Sequence, residues 1–208
     1  MVIASAFVGP VRPAITKTVP DLEVSMAIEV PLLGVMKRNS DFPTWLESEP
    51  IPVPLLGGLP CTIVLERYES DDQPQDFHDA IANLLAATPQ VLRDVEKEVY
   101  QYYLDCDCNI YRDEEDWIVI EKPEDVWQFV DLGKAVYIAR NQIGDEVVYA
   151  SIENNCEWED EHGLQIVLRE GLRVTKLGPF DGHLTNSDAV GEPDVIYSRV
   201  GWHDDETD

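Results

Sequence analysis

Prolines divide this chain into a part that forbids long helices and a part that permits them. Nine of the 14 prolines lie within residues 1–65. Proline removes a backbone N–H and clashes inside a helix, and in a sheet it is confined to edges, strand starts and bulges. The first third of the chain therefore predicts short strands joined by turns, and residues 1–45 are predicted to form a proline-rich extension.

A helical pattern begins after Ser70. Asp72 precedes Gln73 and Pro74 at a helix start, and apolar residues then recur at the spacing of one helix face, at Phe77, Ala80, Ile81, Leu84 and Leu85. Thr88 and Pro89 form a second start signal. A second apolar stripe follows it, made of Val91, Val95, Val99, Tyr102 and Tyr103. The pattern predicts two helices, arranged as an αα-hairpin or a kinked pair.

The second half of the chain is predicted to be mostly strands. Trp117–Glu121 is typical of a strand, and a short helix is expected to follow from Pro123 to Val130. Two hairpins are predicted, one from residues 135–139 and 146–152 and one from 164–168 and 172–177. The fold class is therefore α+β, with β-rich N- and C-terminal portions made of antiparallel hairpins around a two-helix insert. We expect a single domain over 1–208, with a core at 50–180 and an acidic tail at 202–208.

The charge of the chain excludes some classes of partner. It has 15 lysines and arginines against 41 aspartates and glutamates, a formal net charge of −26. A field this negative repels nucleic acid and anionic lipid, so neither is expected as a partner. A purely structural explanation of this charge is a set of solvated acidic faces. The functional explanation is a docking surface for a basic protein.

Compartment and membrane association follow from the cysteines and the apolar runs. Four cysteines are too few for a secreted disulfide scaffold of this size, and no signal peptide is recognisable at the N-terminus. No run approaches the ~18 to 20 apolar residues that span a bilayer. We therefore expect a cytoplasmic protein with reduced thiols.

The acidic residues are clustered, and one cluster has the spacing of a calcium loop. Residues 105–125 contain nine carboxylates against two basic residues. Oxygen ligands stand at positions 1, 3, 5, 9 and 12 of the window 105–116, which are Asp105, Asp107, Asn109, Asp113 and Asp116. Ile110 replaces the glycine that the turn requires, and Asp116 is short for the usual bidentate reach. A solvated acidic loop is the competing interpretation, and no cofactor other than calcium is expected.

Other site chemistries have weaker support. Cys106, Cys108, Cys156 and His162 could supply four ligands to zinc, but the C-x-C spacing has no second matching pair. Four scattered histidines define no triad, and no glycine-rich phosphate loop occurs. A hydrolase that uses an unrecognised carboxylate pair stays an alternative, because such pairs leave no sequence motif.

A second acidic segment carries a family resemblance. Trp158, Glu161, His162, Gly163 and Leu164 form a W-x-x-E-H-G-L pattern. This pattern resembles the motif of an uncharacterised bacterial family of domains of unknown function, and residues 50–180 fit that family. Related sequences look like those found in toxin–immunity loci, so the resemblance implies an inhibitor.

The segment around this motif is the predicted partner-binding site. Its structural interpretation is a tight bend in which glycine takes a positive φ while Trp158 and Leu164 anchor the two ends. Its functional interpretation is a loop presented to a partner by Glu157, Glu159, Asp160, Glu161 and His162. The preferred hypothesis is a non-enzymatic acidic protein that masks a basic partner, such as a nuclease-type toxin.

Overall fold

Short strands in the proline-rich part of the chain and longer ones near its end form a ten-stranded mixed sheet. The computed structural model describes residues 27–106, 108–109, 112–193 and 195–199. The strands are β1 Ile28–Val30, β2 Gly34–Arg38, β3 Trp45–Glu47, β4 Ile51–Val53, β5 Leu59–Glu66, β6 Val130–Asp131, β7 Ala135–Arg140, β8 Val148–Cys156, β9 Glu159–Arg169 and β10 Arg173–Gly178. Their order is β1-β2-β3-β5-β7-β8-β9-β10, with β4 paired to β5 and β6 paired to β8.

The helical segments of the described residues lie mostly between β5 and β6, with one before β5 and one after β10. They are α1 Pro74–Ala86, α2 Gln90–Arg93, α3 Glu96–Asp105 and α4 Asn186–Val190, and four 3-10 helices cover Pro54–Leu56, Tyr68–Ser70, Glu114–Asp116 and Pro123–Phe129. The fold is mixed α+β, and strands dominate it. The predicted two-helix insert is not what the described residues contain, because the second apolar stripe is divided between α2 and α3. Val95 interrupts it, with φ of −116° and ψ of 15°.

One strand pair is parallel. Thr62 to Leu65 of β5 pair in parallel with Ala135 to Ile138 of β7, whereas every other pair among the described strands is antiparallel. Parallel neighbours need a long crossover connection, and here the helical segment supplies it. The sequence predicts antiparallel hairpins alone, and the parallel β5–β7 pair corrects that prediction.

The core lies between the helices and one face of the sheet. Helix α1 packs against β7 and β8, and α3 packs against β10 and the 3-10 helix Pro123–Phe129. The apolar stripe predicted for α1 is buried, through Phe77, Ala80, Ile81 and Leu84. It meets inward-facing strand residues, which include Ile63, Leu65, Val136, Ile138, Ala150, Ile152, Ile166 and Leu168. The periodicity of α1 is therefore confirmed.

The two predicted hairpins are present. β7 pairs with β8 and β9 pairs with β10, both antiparallel. Residues 117–121, predicted as a strand, are extended but pair with no strand in the described chain. The short helix predicted after Pro123 is a 3-10 helix over Pro123–Phe129.

Residues 27–45 of the predicted proline-rich extension join the sheet, because β2 pairs with β3. Residues 1–26, the acidic tail 202–208 and the candidate calcium ligand Asp107 lie outside the described residues. No helix in the described ranges is long and apolar enough to cross a membrane.

Candidate partner-binding groove

The structure brings the two acidic segments predicted from the sequence to one groove. A concavity of about 600 Å³ is lined by Arg112, Asp113, Glu115, Asp116, Trp117, Ile118, Phe129 and Glu157. A neighbouring concavity of about 350 Å³ shares Phe129 and Glu157 with it and adds Gln128, Val130, Asp131, Asn155, Cys156 and Asp160. We call the two together the acidic groove, because six carboxylates and one guanidinium line it.

Arg112 joins the two sides of the groove. Its Nη2 donates to the carbonyl oxygen of Glu157 at 2.8 Å and lies 3.6 Å from Oδ2 of Asp160. Its Nε donates to the carbonyl oxygen of Cys108 at 2.8 Å. A planar guanidinium can hold several acceptors in fixed directions at once. The single basic residue of the groove is therefore used to position its walls.

The four carboxylates of the larger concavity do not help to position the walls of the groove. The side chains of Asp113, Glu115, Asp116 and Glu157 are exposed and form no ion pair or hydrogen bond with any described residue. Like charges gathered on one surface repel each other unless water or a cation neutralises them. These four groups are available to a ligand with positive charge.

Two aromatic residues give the groove an apolar part. Trp117 is half-exposed, and its indole Nε1 donates to the carbonyl oxygen of Arg112 at 3.2 Å. Phe129 ends the 3-10 helix that packs against α3, and it borders both concavities. Aromatic surface beside carboxylates suits a side chain that has an apolar stem and a cationic head.

The predicted partner-binding residues separate into two groups. Glu157 and Asp160 line the acidic groove, whereas Glu159, Glu161 and His162 are not among the described residues that line it. Glu159 has a structural task, because its Oε1 accepts hydrogen bonds from the backbone N–H groups of Glu161 (2.8 Å) and His162 (3.1 Å). Glu161 and His162 are exposed at the start of β9.

The glycine of the W-x-x-E-H-G-L pattern is required by the fold. Gly163 has φ of +63°, and a Cβ placed on it would stand 2.4 Å from the carbonyl oxygen of Asn154. The buried hydroxyl of Tyr102 donates to the carbonyl oxygen of Gly163 at 2.8 Å. Trp158 is buried edge-on against Tyr102, with ring centroids 5.9 Å apart. These contacts agree with the structural interpretation of the pattern, in which it forms a tight bend with a glycine of positive φ.

Two of the candidate calcium ligands, Asp105 and Asn109, are engaged by protein groups. Asp105 accepts hydrogen bonds from Gln101 (3.1 Å) and from the hydroxyl of Tyr197 (3.1 Å). The side-chain amide of Asn109 donates to and accepts from the backbone of Ile118. Asp113 and Asp116 lie in the groove instead. Within the described ranges no group of three or more histidines, cysteines or acids is arranged to hold a metal ion.

The same finding applies to the predicted zinc ligands. None of the four cysteines, all of which lie in the described ranges, forms a disulfide. Burial raises the pKa of Cys106, and it raises the pKa of Cys156 to about 12. Zinc binds the thiolate, so these thiols would release their protons to the metal with difficulty.

A second cavity lies at the carboxyl ends of the two parallel strands. It has a volume of about 330 Å³, and its lining includes Glu66, Arg67, Asp71, Arg140, His183 and Asp188. Burial is the main cause that raises the pKa of Glu66. Hydrogen bonds from Arg140 lower the pKa of Asp71, since Nε and Nη2 donate to its two oxygens at 2.8 and 2.9 Å. This cavity was not predicted, because it depends on the β5–β7 pairing.

Sequence reasoning also missed residues of the acidic groove, among them Arg112, Glu115, Trp117 and Phe129. Arg112 and Glu115 lie within the candidate calcium loop 105–116 without a ligand position, Trp117 starts a predicted strand and Phe129 lies in a predicted short helix. The available signal was Trp117 within the acid-rich segment 105–125 and Phe129 shortly after it.

Comparison with known proteins gives one match. A family model described as a domain of unknown function (DUF6985) matches residues 33–184. No curated protein and no solved structure matches the chain.

Proposed function

We propose a binding function for this chain, which belongs to the DUF6985 family of domains of unknown function: its acidic groove binds a lysine- and arginine-rich segment of a partner protein. Every residue that lines the groove lies within the matched residues 33–184. The proposal therefore concerns the family part of the chain and needs neither terminus.

The observation that carries the proposal is the composition of the groove. Four exposed carboxylates without a described partner line the same concavity as the aromatic side chains of Trp117 and Phe129. Complementary charge accelerates encounter and discriminates against wrong partners, whereas buried aromatic contact slows dissociation. A basic segment would satisfy both parts of the groove, and a neutral or acidic segment would satisfy one at most.

The kind of partner is the finer part of the proposal. A nuclease-type toxin uses lysines and arginines to hold phosphate, and the groove would mask them by pairing with its carboxylates. The resemblance of the W-x-x-E-H-G-L segment to families of toxin–immunity loci supports this choice of partner.

The hydrolase alternative has less support. It needs two carboxyl groups that are both free to act on a substrate. In the cavity beside β5, the Glu66 carboxyl has no hydrogen-bond partner among the described residues, but both oxygens of Asp71 are held by Arg140. The binding function has more support, because it rests on four carboxylates of the groove that have no described partner.

The experiment compares two variants of equal net charge. The groove variant carries Asp113→Asn, Glu115→Gln, Asp116→Asn and Glu157→Gln, and the control variant carries Glu29→Gln, Asp41→Asn, Asp72→Asn and Asp79→Asn at exposed positions outside the groove. Fluorescence anisotropy measures binding of a labelled eight-residue peptide that alternates lysine with valine.

We expect the groove variant to bind the peptide about tenfold more weakly than the unmodified protein, a loss of ~1.4 kcal/mol. The control variant is expected to bind within about twofold, because local charge decides the contact. If both variants lost the same affinity for the peptide, net charge alone would explain the loss. That result would contradict a groove-specific site. No binding even at low ionic strength would also reject the proposal.

A further inference from the structure

The extended segment Trp117–Glu121 is hydrogen-bonded along one of its two edges. In an extended chain the N–H and C=O groups of alternate residues point to opposite sides. The N–H of Ile118 donates to Asn109 Oδ1 at 2.9 Å, and its carbonyl oxygen accepts from Asn109 Nδ2 at 3.0 Å. The side chain of Asn109 thus takes the place of a neighbouring strand.

Ile120 is held in the same way. Its N–H donates to the hydroxyl oxygen of Tyr103 at 3.2 Å, and its carbonyl oxygen accepts from the hydroxyl of Tyr100 at 3.1 Å. Both tyrosines project from α3. The side chains of Ile118 and Ile120 are buried, so this segment is fixed in position by apolar contacts as well as by hydrogen bonds.

No described residue is hydrogen-bonded to the opposite edge at Trp117 and Val119, which we call the open edge. The backbone N–H and C=O groups of Trp117 and Val119 form no hydrogen bond with any described residue. Their side chains are apolar and 50% and 63% exposed. An open edge of extended backbone that carries exposed apolar side chains is a template for pairing with another strand.

The open edge begins at Trp117, which lines the acidic groove, and continues to Val119, which is not among the described residues that line it. Trp117 and Ile118 line the groove, and Asp113, Glu115 and Asp116 come immediately before them. A segment that pairs with Trp117 and Val119 therefore enters a region where carboxylates have no described partner. The charge of the groove selects a basic segment as the occupant of this edge.

We propose that the partner's basic segment binds as an added β-strand along the edge formed by Trp117 and Val119. This inference rests on the proposed function of the groove and specifies the conformation in which the ligand is bound. Backbone hydrogen bonds supply part of the affinity, alternate basic side chains reach the carboxylates, and apolar ones cover Trp117 and Val119.

The test uses N-methylated forms of the lysine–valine peptide, which keep its charge and remove backbone donors. One form is methylated at alternate residues, so that one edge stays free, and the other is methylated at every residue. We expect the first form to bind within about threefold of the parent peptide, because its free edge can face the protein, and the second to bind about tenfold more weakly or worse.

Amide hydrogen exchange gives a second readout in the same complex. The parent peptide is expected to slow exchange at the N–H groups of Trp117 and Val119, whereas Ile118 and Ile120, already hydrogen-bonded, change little. Equal affinity of all three peptides, with no slowing at Val119, would overturn strand addition and leave the groove as a charge-based site. Failure of the parent peptide to bind would overturn the groove function itself.

Discussion

The guanidinium of Arg112 donates a hydrogen bond of 2.8 Å to the backbone carbonyl oxygen of Glu157, 45 residues further along the chain. This contact joins the loop after α3 to the turn between β8 and β9. It fixes the spacing of the two walls of the acidic groove while leaving the Glu157 carboxylate exposed.

Arg112→Met is expected to destabilise the protein by about 1–3 kcal/mol, because it removes charge-assisted hydrogen bonds and retains an apolar side chain of similar length. Urea denaturation measures the change. Lys122→Met is the matched control, since Lys122 forms only exposed ion pairs, with Glu124 and Asp125, and should leave the midpoint nearly unchanged. Equal midpoints for the Arg112 variant and the unmodified protein would show that this contact does not hold the groove.

Gly163→Ala is expected to cost about 3 kcal/mol or more, since the new methyl group would meet the carbonyl oxygen of Asn154 and the backbone has a positive φ. Gly182→Ala separates the cost of the positive φ from the cost of the close approach to Asn154. Gly182 has φ of +78° with no described atom within 4 Å of its added Cβ, so about 1–2 kcal/mol is expected there. Thermal or urea unfolding compares them, and similar losses would mean that the close approach to Asn154 is relieved cheaply.

Glu66 makes the stability of the protein depend on pH. Burial is the main cause that raises its pKa above the ordinary value of 4.5; the Glu153 carboxylate adds to this effect and Arg67 opposes it. The folded state therefore binds the proton more tightly than the unfolded state, and the contribution of this group to stability falls as pH rises from 4.5 through the raised value. Glu66→Gln should be more stable than the unmodified protein at pH 7.

The advantage of Glu66→Gln should shrink towards zero as pH falls to about 4 and the unmodified carboxyl takes up its proton. Urea midpoints of both proteins over this pH range provide the measurement, with Glu121→Gln as the control at an exposed glutamate. A difference in midpoint that is the same at pH 4 and pH 7 would contradict the burial of a charged Glu66.

Calcium is expected to leave the melting temperature unchanged at fixed ionic strength. The side chains of Asp105 and Asn109 already bond to Tyr197 and to Ile118, so the oxygens of a calcium loop are not gathered among the described residues. A ligand that prefers the folded state must raise the midpoint. Melts with calcium and with a chelator measure it, and a saturable rise that Asp113→Asn abolishes would restore the calcium-loop hypothesis.

Local patterns of the sequence predicted the parts of the fold that local patterns control. Helix α1 and the hairpins β7–β8 and β9–β10 follow from apolar periodicity and turn residues a few positions apart. The β5–β7 pair joins Thr62 to Ala135, and no spacing within either strand specifies a parallel partner so distant in the chain. The cavity at the end of that pair was unpredictable for the same reason.

The acidic character of the candidate site was predictable from the sequence, but the set of residues that line it was not. The clustering of acids identified Asp113 and Asp116 as candidate calcium ligands and Glu157 and Asp160 as candidate partner-binding residues. Whether an acid faces a groove or its own backbone depends on the local turn, and Glu159 is turned to the N–H groups of Glu161 and His162. Residues 117–121 were predicted to form a strand; they are extended, but they pair with no described strand, and their hydrogen-bond partners are side chains of Tyr100, Tyr103 and Asn109.

The central claim is that the acidic groove is the place where a basic segment binds. Titration of isotope-labelled protein with the lysine–valine peptide, followed by NMR, locates the contact residue by residue. The indole signals are the most direct reporters, because the chain has five tryptophans and Trp117 lines the groove while Trp158 is buried behind it. We predict that the Trp117 indole and the backbone signals of residues 113–119 and 157 shift saturably while the Trp158 indole stays in place. Shifts spread over the exposed acids of the control variant, with no change at Trp117, would contradict the claim.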